Sequence, residues 1–346
     1  MNFIYFSEIK DASFNLALED YLYQNFADFT ADRIILLYVN EPCFVLGKNQ
    51  NAFQEIDWLR AEKNNLPIYR RISGGGAVFH DLGNLNFSFI VPRESNLIAN
   101  FDPLLEPIRS FLNQVENTTS LENTSDLMLG GRKISGNAQA LGKKVLLQHG
   151  TLLHSSDLSS IESYLHHQAE GISSKAIRSR QNRVANIATL TASAESESGQ
   201  EAKVLGENFT EFSKALYIYL RDYFDAHSLE LDFSQEAAVR ELQLTRYKNF
   251  QWNMAKSPAF SIKRCWRGVV YELAVEHALI KDCKCYGKMD SSWISCLKEV
   301  PLSYNRLLNA YNNHLEQTDM PDREDFEDFL ESIFGLQNNL LPEVGE

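Results

Sequence analysis

The sequence predicts an α+β protein with β-sheets flanked by helices, followed by a small α+β unit. Three observations predict this class. The chain has 346 residues, which is more than a single hydrophobic core usually serves. Strand-like alternation, as from Leu85 to Val91, is interspersed with helical spacing in the first part. After Ser257-Pro258, three strand-like runs precede two helical ones. We therefore expect domains at 1–245 and 255–340.

Composition and charge narrow the class further. Hydrophobic residues make up 44% of the chain and charged residues 23%, as is ordinary for soluble globular proteins. Apolar runs stay below the ~18 residues of a membrane helix, and the first residues do not resemble a signal peptide. We therefore expect a cytoplasmic protein with no membrane partner. The net charge of −13 argues against a nucleic-acid partner. Five scattered cysteines without a Cys-x-x-Cys pair predict reduced thiols.

The first half of the chain alternates helix and strand signals. Ser13 is a favoured N-cap residue, and Phe14, Leu18 and Leu22 follow at helical spacing, which predicts a helix over 13–27. A later helix should begin near Pro107 and run to about 116, because proline is tolerated best at a first helical position. Between them we expect strands at 34–39, near 45–46, at 67–72, from Ala77 and at 85–91, and a helix at 55–64.

The second half shows the same alternation. Phe212, Leu216 and Leu220 lie on one face of a predicted helix over 208–224. Residues 188–202 are rich in small and polar residues and predict an irregular connection. The other expected elements are strands at 126–129, 133–138 and 145–154, a helix at 159–166, strands at 260–266, 269–275 and 279–286, and helices at 301–316 and 323–335.

The segment from Arg70 to Gly76, Arg-Arg-Ile-Ser-Gly-Gly-Gly, predicts an anion-binding loop. A backbone without Cβ atoms approaches an oxyanion closely, and its amide groups can form a nest. Arginine adds a forked donor for phosphate or carboxylate. Neighbouring residues on a strand point to opposite faces, so we expect only Arg71 to enter the site. Neither this loop nor the stretch from Gly136 to Lys144 matches a standard nucleotide-binding motif.

A set of collinear segments between about residues 10 and 190 resembles the lipoate-protein ligase A family. The segments are Phe14-Asn15-Leu16-Ala17-Leu18-Glu19, Asn40-Glu41-Pro42, Gly47-Lys48-Asn49-Gln50-Asn51, the loop at 70–88, Gly131-Arg132-Lys133-Ile134-Ser135-Gly136-Asn137-Ala138-Gln139, His149-Gly150-Thr151-Leu152-Leu153, Ser174-Lys175-Ala176-Ile177 and Arg183-Val184-Ala185-Asn186. The ordered set is highly specific. The last third of the chain resembles the accessory domain of the family only weakly.

The resemblance implies a fold and a reaction. The fold is the biotin/lipoate ligase-like catalytic domain with mixed sheets, followed by a small accessory domain. The reaction uses ATP with Mg²⁺ to convert lipoate to lipoyl-AMP and pyrophosphate, in salvage of the free acid. A lysine of a 2-oxoacid dehydrogenase E2 lipoyl domain, or of the glycine-cleavage H protein, then displaces AMP. In this family the two domains move between the steps, which makes the connecting segment an expected hinge.

The resemblance also implies which residues form the site. Lys133 is the key lysine, and its ammonium group is suited to neutralise a carboxylate and an α-phosphate that must meet. Asp126 is expected to act with it, as a Mg²⁺ ligand or as the partner of the incoming lysine. The expected contacts to lipoate and ATP, besides Lys133, are Arg71, Ser73, Gly74, Gly75, Gly76, Ala77, Val78, Phe79, His80, Asn84, His149 and Arg183.

Several alternatives remain open at this point. His80 is either a pocket residue or a general base, and His149 either lines the acyl pocket or lies in the core. Octanoate competes with lipoate as the acid. A sister activity would transfer octanoyl or lipoyl groups between carrier proteins without ATP, with Cys43 as the nucleophile. A protein that binds lipoyl domains without catalysis is the third alternative.

Overall fold

The computed structural model describes residues 1–115, 119–165, 171–176, 184–192, 208–287, 292–315 and 320–335. Within these residues the strands form an eight-stranded, a four-stranded and a three-stranded sheet. None of the described helices combines the length and the apolar character that crossing a membrane requires. The mixed sheets with flanking helices confirm the predicted α+β class.

The eight-stranded sheet is the frame of the N-terminal part of the chain. Its strands are β1 (Asn2–Ser7), β2 (Arg33–Val39), β6 (Asn84–Pro92), β7 (Thr119–Glu122), β8 (Asp126–Leu129), β9 (Arg132–Leu141), β10 (Val145–Leu153) and β12 (His227–Ser228). They lie in the order β12-β1-β2-β6-β10-β9-β8-β7. β1 pairs in parallel with β2 and β12, and the other pairs are antiparallel. The central strands are buried along most of their length, because both faces of the sheet are covered.

Helices cover the two faces and form two hydrophobic cores. On one face, α4 (Asp102–Leu112) and α7 (Phe209–Tyr223) pack on Phe87 and Phe89 of β6. On the other, α1 (Ala12–Gln24) and α8 (Phe233–Leu242) pack on β2. Asp11 accepts a hydrogen bond from the Ser13 amide and caps α1, so that the helix begins one residue before the predicted start.

The three-stranded sheet lies next to the glycine-rich segment. It consists of β4 (Ile68–Arg70), β3 (Cys43–Leu46) and β5 (Val78–His80) in that order, with β3 parallel to β4 and antiparallel to β5. Helices α2 (Ala52–Glu55) and α3 (Trp58–Lys63) fill the connection between β3 and β4. This arrangement holds the loop at 71–77 between two strands of one small sheet.

The C-terminal unit, here the described residues from 258 to 335, contains the four-stranded sheet. Its strands β13 (Phe260–Trp266), β14 (Val269–Glu276) and β15 (Leu279–Tyr286) are antiparallel, and β11 (Ile172–Ser174) from the middle of the chain pairs with β13. Helices α10 (Tyr304–Asn312) and α11 (Arg323–Phe334) follow. The remaining elements of the chain are α5 (Leu158–Tyr164), α6 (Ile187–Ala192) and α9 (Phe250–Asn253).

Several local predictions were wrong or incomplete. Helix α4 begins at Asp102 rather than near Pro107, because Pro103 occupies its first turn and Pro107 lies inside it. Residues 187–192 are helical where an irregular connection was expected from 188, and the rest of that stretch, 193–202, lies outside the described residues. Sequence patterns predicted neither the strands β1, β7 and β11 nor the helix α8.

Candidate active site

A cavity of about 350 Å³ lies where the glycine-rich loop faces strands β9 and β10. This volume is in the range of small-molecule sites in proteins. Its wall contains both polar and apolar residues. The lining residues are Leu16, Tyr38, Val45, Arg71, Gly75, Gly76, Ala77, Val78, His80, Asn86, Asn123, Thr124, Ser125, Asp126, Lys133, Gly136, Asn137, Ala138, His149, Gly150 and Thr151. The cavity therefore brings the loop, the candidate lysine and both candidate histidines together.

Lys133 and Asp126 form an ion pair in the cavity wall. Lys133 Nζ lies 2.7 Å from Asp126 Oδ1, and the Asn123 amide donates a hydrogen bond of 3.1 Å to Asp126 Oδ2. The Lys133 side chain is 20% exposed and that of Asp126 is 8% exposed. The pair joins β8 to β9, the antiparallel strands that carry the two residues. An ammonium group on the wall of a small cavity is placed to meet an anionic ligand.

The backbone of the glycine-rich loop needs glycine at two points. Gly75 has φ +91°, and a Cβ there would lie 2.8 Å from Arg71 Nη2. Gly47, in the turn after β3, packs so closely on the loop that a Cβ would lie 2.1 Å from the Gly75 carbonyl oxygen. Among the described residues, the amides of Gly74, Gly75 and Gly76 donate to no protein acceptor. Such amides are available to an anion.

Arg71 lines the cavity and also holds the loop in shape. Its guanidinium donates to the carbonyl oxygens of Val45 (3.1 Å), Gly74 (2.6 Å) and Gly76 (2.8 Å), and to Ser73 Oγ (2.9 Å). Burial lowers the Arg71 pKa to about 10, and the charge of Glu19 opposes the shift. The group therefore stays positive at neutral pH.

A chain of hydrogen bonds runs from Glu19 through His149 to Ser73. Glu19 Oε1 lies 2.8 Å from His149 Nδ1, and His149 Nε2 lies 2.6 Å from Ser73 Oγ. Burial acts to raise the Glu19 pKa, but His149, Ser88 and Arg71 together outweigh it and hold the pKa below its ordinary value. Glu19 thus supplies a buried negative charge beside Arg71 and His149.

Glu19 belongs to this site but was not among the predicted residues. It directly follows the apolar run Leu16-Ala17-Leu18 in helix α1, and it is 1% exposed. A carboxylate in such a position needs a partner, and that is the signal the sequence offered. The partner itself, His149, is 130 residues away in the chain.

His80 is buried and neutral. The Asn15 amide donates to Asn40 Oδ1, so the Asn40 amide nitrogen must donate to His80 Nδ1, at 2.9 Å. Burial, with the charges of Arg71 and His149, lowers the His80 pKa to about 3. His80 therefore lines the cavity as a neutral side chain, which does not favour a proton-transfer role.

The structure does not bring every predicted residue to the cavity wall. Ser73, Gly74 and Phe79 lie in the loop and strand behind it, and Asn84 is buried with its amide donating 3.0 Å to Asn86 Oδ1, which does line the cavity. Ala77, Val78 and His149 are part of the wall. Arg183 lies outside the described residues. The chain re-enters at Val184, which forms a bridge with Lys133, and the Ala185 amide donates to the Lys133 carbonyl oxygen.

Cys43 is not placed as a nucleophile. It is 1% exposed, it is absent from the cavity wall, and burial raises its thiol pKa well above the ordinary value. A nucleophilic cysteine needs access and a lowered pKa. The structure gives no support to the thioester alternative.

The donor set suits a metal ion that arrives with a nucleotide rather than a resident one. Asp126 is the one carboxylate on the described cavity wall, and the described residues hold no cluster of three metal-ligating side chains. Mg²⁺ at nucleotide sites is commonly held by phosphates, water and one or two carboxylates. Asp126 would supply the protein ligand.

Comparison with known proteins identifies the family. The model of the lipoyl protein ligase A/B catalytic domain matches residues 11–205, more than half of the chain. The lipoate-protein ligase LplJ of Bacillus subtilis is 34% identical over 291 residues, which cover 83% of this chain and 85% of that protein.

Solved structures agree on the fold. The T. acidophilum protein Ta0514 with bound lipoic acid has a TM-score of 0.59 at 24% identity and covers 73% of this chain and 98% of its own. A lipoate-protein ligase A bound with ATP has a TM-score of 0.58 at 24% identity with the same coverage. These matches and the predicted motifs agree, and the chain belongs to the lipoate-protein ligase A family, whose members are ligase enzymes.

Proposed function

We propose that this chain is an ATP-dependent lipoate-protein ligase that forms lipoyl-AMP and transfers the lipoyl group to a lysine of an acceptor protein. The proposed acceptors are E2 lipoyl domains and the glycine-cleavage H protein. One observation carries the proposal: Lys133, Arg71 and the free amides of the glycine loop surround a single cavity that also has apolar walls.

The first step joins two anions. A carboxylate oxygen of lipoate attacks the α-phosphorus of ATP, the new oxygen–phosphorus bond forms, and pyrophosphate leaves. Lys133 would neutralise both reactants once its ammonium group turns from Asp126 to the ligands, and its position on the cavity wall supports this role. The loop amides of Gly75 and Gly76 would hold phosphate oxygens, and Mg²⁺ carried by the phosphates would add charge neutralisation.

The second step needs little proton-transfer help from the chain. The acceptor lysine, as the free amine, attacks the acyl carbonyl, an amide bond forms, and AMP leaves with the electron pair of the anhydride bond. The amine proton goes to solvent or to a nearby carboxylate, and Asp126 is the one on the described wall. The neutral His80 supports this assignment, because a histidine with a pKa of about 3 is a weak base.

The apolar part of the wall suits the acyl chain. Leu16, Val45 and Ala138 lie on the wall with the ring of Tyr38. Burying about seven methylene-sized groups of lipoate is worth on the order of 5 kcal/mol. Octanoate has a chain of comparable length and is the expected competitor.

The test separates the two steps. The protein is incubated with ATP, Mg²⁺ and lipoate, and pyrophosphate and lipoyl-AMP are measured. Apo-lipoyl domain or apo-H protein is then added and weighed by mass spectrometry. We expect pyrophosphate release that requires lipoate and a mass gain of one lipoyl group on one lysine. Folded protein that releases no pyrophosphate under these conditions would refute the proposal.

A further inference from the structure

Two cysteine side chains lie in contact on β15, the edge strand of the four-stranded sheet. The sulfur atoms of Cys283 and Cys285 are 3.8 Å apart. Side chains two residues apart on a strand point to the same face of the sheet. Their cross-strand partners on β14, Leu273 and Tyr271, are both buried. The two thiols therefore lie together at the rim of the face that packs on the core.

The two thiols differ in their access to solvent. Cys283 is half-buried and packs against the hydrophobic core of the C-terminal unit, whereas Cys285 is exposed. Among the described residues, the pairing on the outer side of β15 lies at its start, where Leu279 forms a bridge with Pro301. A small molecule can therefore reach Cys285 from solvent, with Cys283 directly behind it as a second thiol.

The backbone of β15 allows the two sulfur atoms to bond. Residues two apart on a strand have Cα atoms about 6.6 Å apart. This separation lies inside the range of about 4.4 to 6.8 Å for disulfides, near its upper limit, so the bond is strained and readily reduced again. The register between β14 and β15 shifts at Lys281, two residues before the pair. Such a bulge bends the strand and gives it room to adjust.

The thiols are protonated at neutral pH in the reduced chain. Burial raises the pKa of both thiols, and the neighbouring Cys285 raises the pKa of Cys283 further. Two thiols do not complete a tetrahedral zinc site, and the described residues hold no cluster of three metal-ligating side chains. Disulfide formation, in contrast, needs only two adjacent thiols and an oxidant.

We propose that Cys283 and Cys285 form a reversible dithiol–disulfide pair that exchanges with small-molecule disulfides. The ionised fraction of the exposed Cys285 attacks one sulfur of the small disulfide, a mixed disulfide forms, and the first small thiolate leaves. Cys283 then loses its proton to solvent and attacks the Cys285 sulfur, and the second small thiolate leaves. The chain loses two electrons and two protons, and the small disulfide becomes two thiols. Neither cysteine lines the cavity, so the proposal is independent of the ligase function.

Thiol counting and mass spectrometry test the proposal. The full chain is equilibrated with oxidised glutathione, quenched with acid and alkylated in denaturant. We expect the five thiols of the reduced chain to fall by two and the mass to fall by two hydrogens, with no glutathione adduct. Dithiothreitol should restore both thiols. Trypsin cleaves after Lys284, between the two cysteines, so the disulfide should appear as two linked peptides or as one uncut peptide lighter by two hydrogens.

Two serine variants are the matched controls. Cys285→Ser should lose no pair of thiols and should gain at most one glutathione adduct, because the second thiol is missing. Cys265 lies on β13 between the buried Arg264 and Trp266, so its side chain points to the opposite face of the sheet. Cys265→Ser should therefore still lose two thiols, as the wild type does.

Three results would overturn the proposal. The first is a full set of five thiols after oxidation of the folded wild-type chain. The second is a stable glutathione adduct on Cys285 without closure of the ring. The third is a disulfide that joins either cysteine to Cys265 or Cys296 instead.

An arsenical measures the pairing of the thiols without an oxidant. Phenylarsine oxide condenses with two adjacent thiols, forms two arsenic–sulfur bonds and releases one water molecule. We expect one arsenical on the wild-type chain, by intact mass, and none on Cys285→Ser at the same concentration. Equal uptake by the two chains would place the reactive pair elsewhere and would overturn the proposal.

Discussion

Arg70 and Arg71 are neighbours in sequence, and they lie on opposite sides of the glycine-rich loop. Arg71 faces the cavity, where the carboxylate of Glu19 balances its charge. Arg70 faces residues 252–257, which lead to the C-terminal unit, and is surrounded by backbone carbonyl oxygens. Among the described residues it has no carboxylate partner. The difference teaches that one loop has a chemical front, the cavity side, and a structural back, the Arg70 side. Substitutions on the two sides should have separable effects.

The largest effect is expected at the front, at Lys133. Lys133→Ala should reduce lipoate-dependent pyrophosphate release at least about a hundredfold, because the two reacting anions lose the cation between them. Unfolding free energy should change by about 1 kcal/mol, as for a partly exposed ion pair. Lys143→Ala, at an exposed lysine of the next turn, is the control. Near-normal pyrophosphate release from Lys133→Ala would remove Lys133 from the reaction.

The next largest effect is expected from a change in the conformation of the glycine-rich loop. Gly75→Val forces a β-branched residue to φ +91° and puts its Cβ against Arg71. We expect ATP binding to weaken at least about tenfold, as measured by titration calorimetry. Gly74→Ala, where a Cβ meets no atom within 4 Å, should lose less. Equal losses in the two variants would contradict the role given to the loop conformation.

At the back of the loop, a substitution of Arg70 should lower stability more than it lowers catalysis. Arg70→Gln leaves several buried carbonyl oxygens without donors, so unfolding free energy should drop by about 3 kcal/mol. Because the loop then loses support from Gly47, KM for ATP should rise while kcat changes less. Arg70→Lys should lose less unfolding free energy than Arg70→Gln and should raise KM for ATP less. Arg221→Gln, on an exposed helix surface, is the control, and urea unfolding with steady-state kinetics are the measurements.

If Arg70→Gln lowers stability but leaves KM for ATP unchanged in the folded protein, the back of the loop is structural only. That result would also mean that the Arg70 contacts to Asn253 and Ser257 do not influence the cavity.

At neutral pH the smallest effect on stability is expected from His80, because its contribution changes only on acidification. The His80 pKa is about 3 in the folded chain and 6.5 for an ordinary histidine, so between these values the unfolded chain binds one proton more. Stability therefore falls as pH decreases through this window, by up to about 1.4 kcal/mol per pH unit from this group. His80→Gln should remove this contribution, which urea unfolding between pH 6 and 4 would detect. If the unfolding free energy of His80→Gln changes with pH as steeply as that of the wild type, a group other than His80 is responsible.

The sequence predicted the front of the loop better than the back. Strand alternation separated Arg71 from Arg70, and the glycine run identified the loop, because both signals are local. The back depends on contacts with Asn253 and Ser257, about 180 residues away, which no local pattern indicates. The same reason applies to β11, whose partner β13 follows about 90 residues later.

Other differences have local causes. Strand β1, Asn2–Ser7, carries the aromatic-rich run Phe-Ile-Tyr-Phe without a clean alternation of apolar and polar residues. Helix α4 contains two prolines, and Pro103, in its first turn, marks the start of the helix better than Pro107, which lies inside it. Helix α8 has a weakly apolar face, with only Val239 buried, so its periodicity gave little signal.

The ion pair between Lys133 and Asp126 has a consequence for selectivity. A single phosphate or carboxylate that enters the cavity must compete with the Asp126 carboxylate for Lys133. Small anions should therefore bind there only weakly. Under the proposed function, the carboxylate of the acid and the nucleotide phosphates would together displace Asp126 from Lys133, so each should strengthen binding of the other. In the unliganded protein Lys133 would therefore stay paired with Asp126 until both proposed substrates are bound.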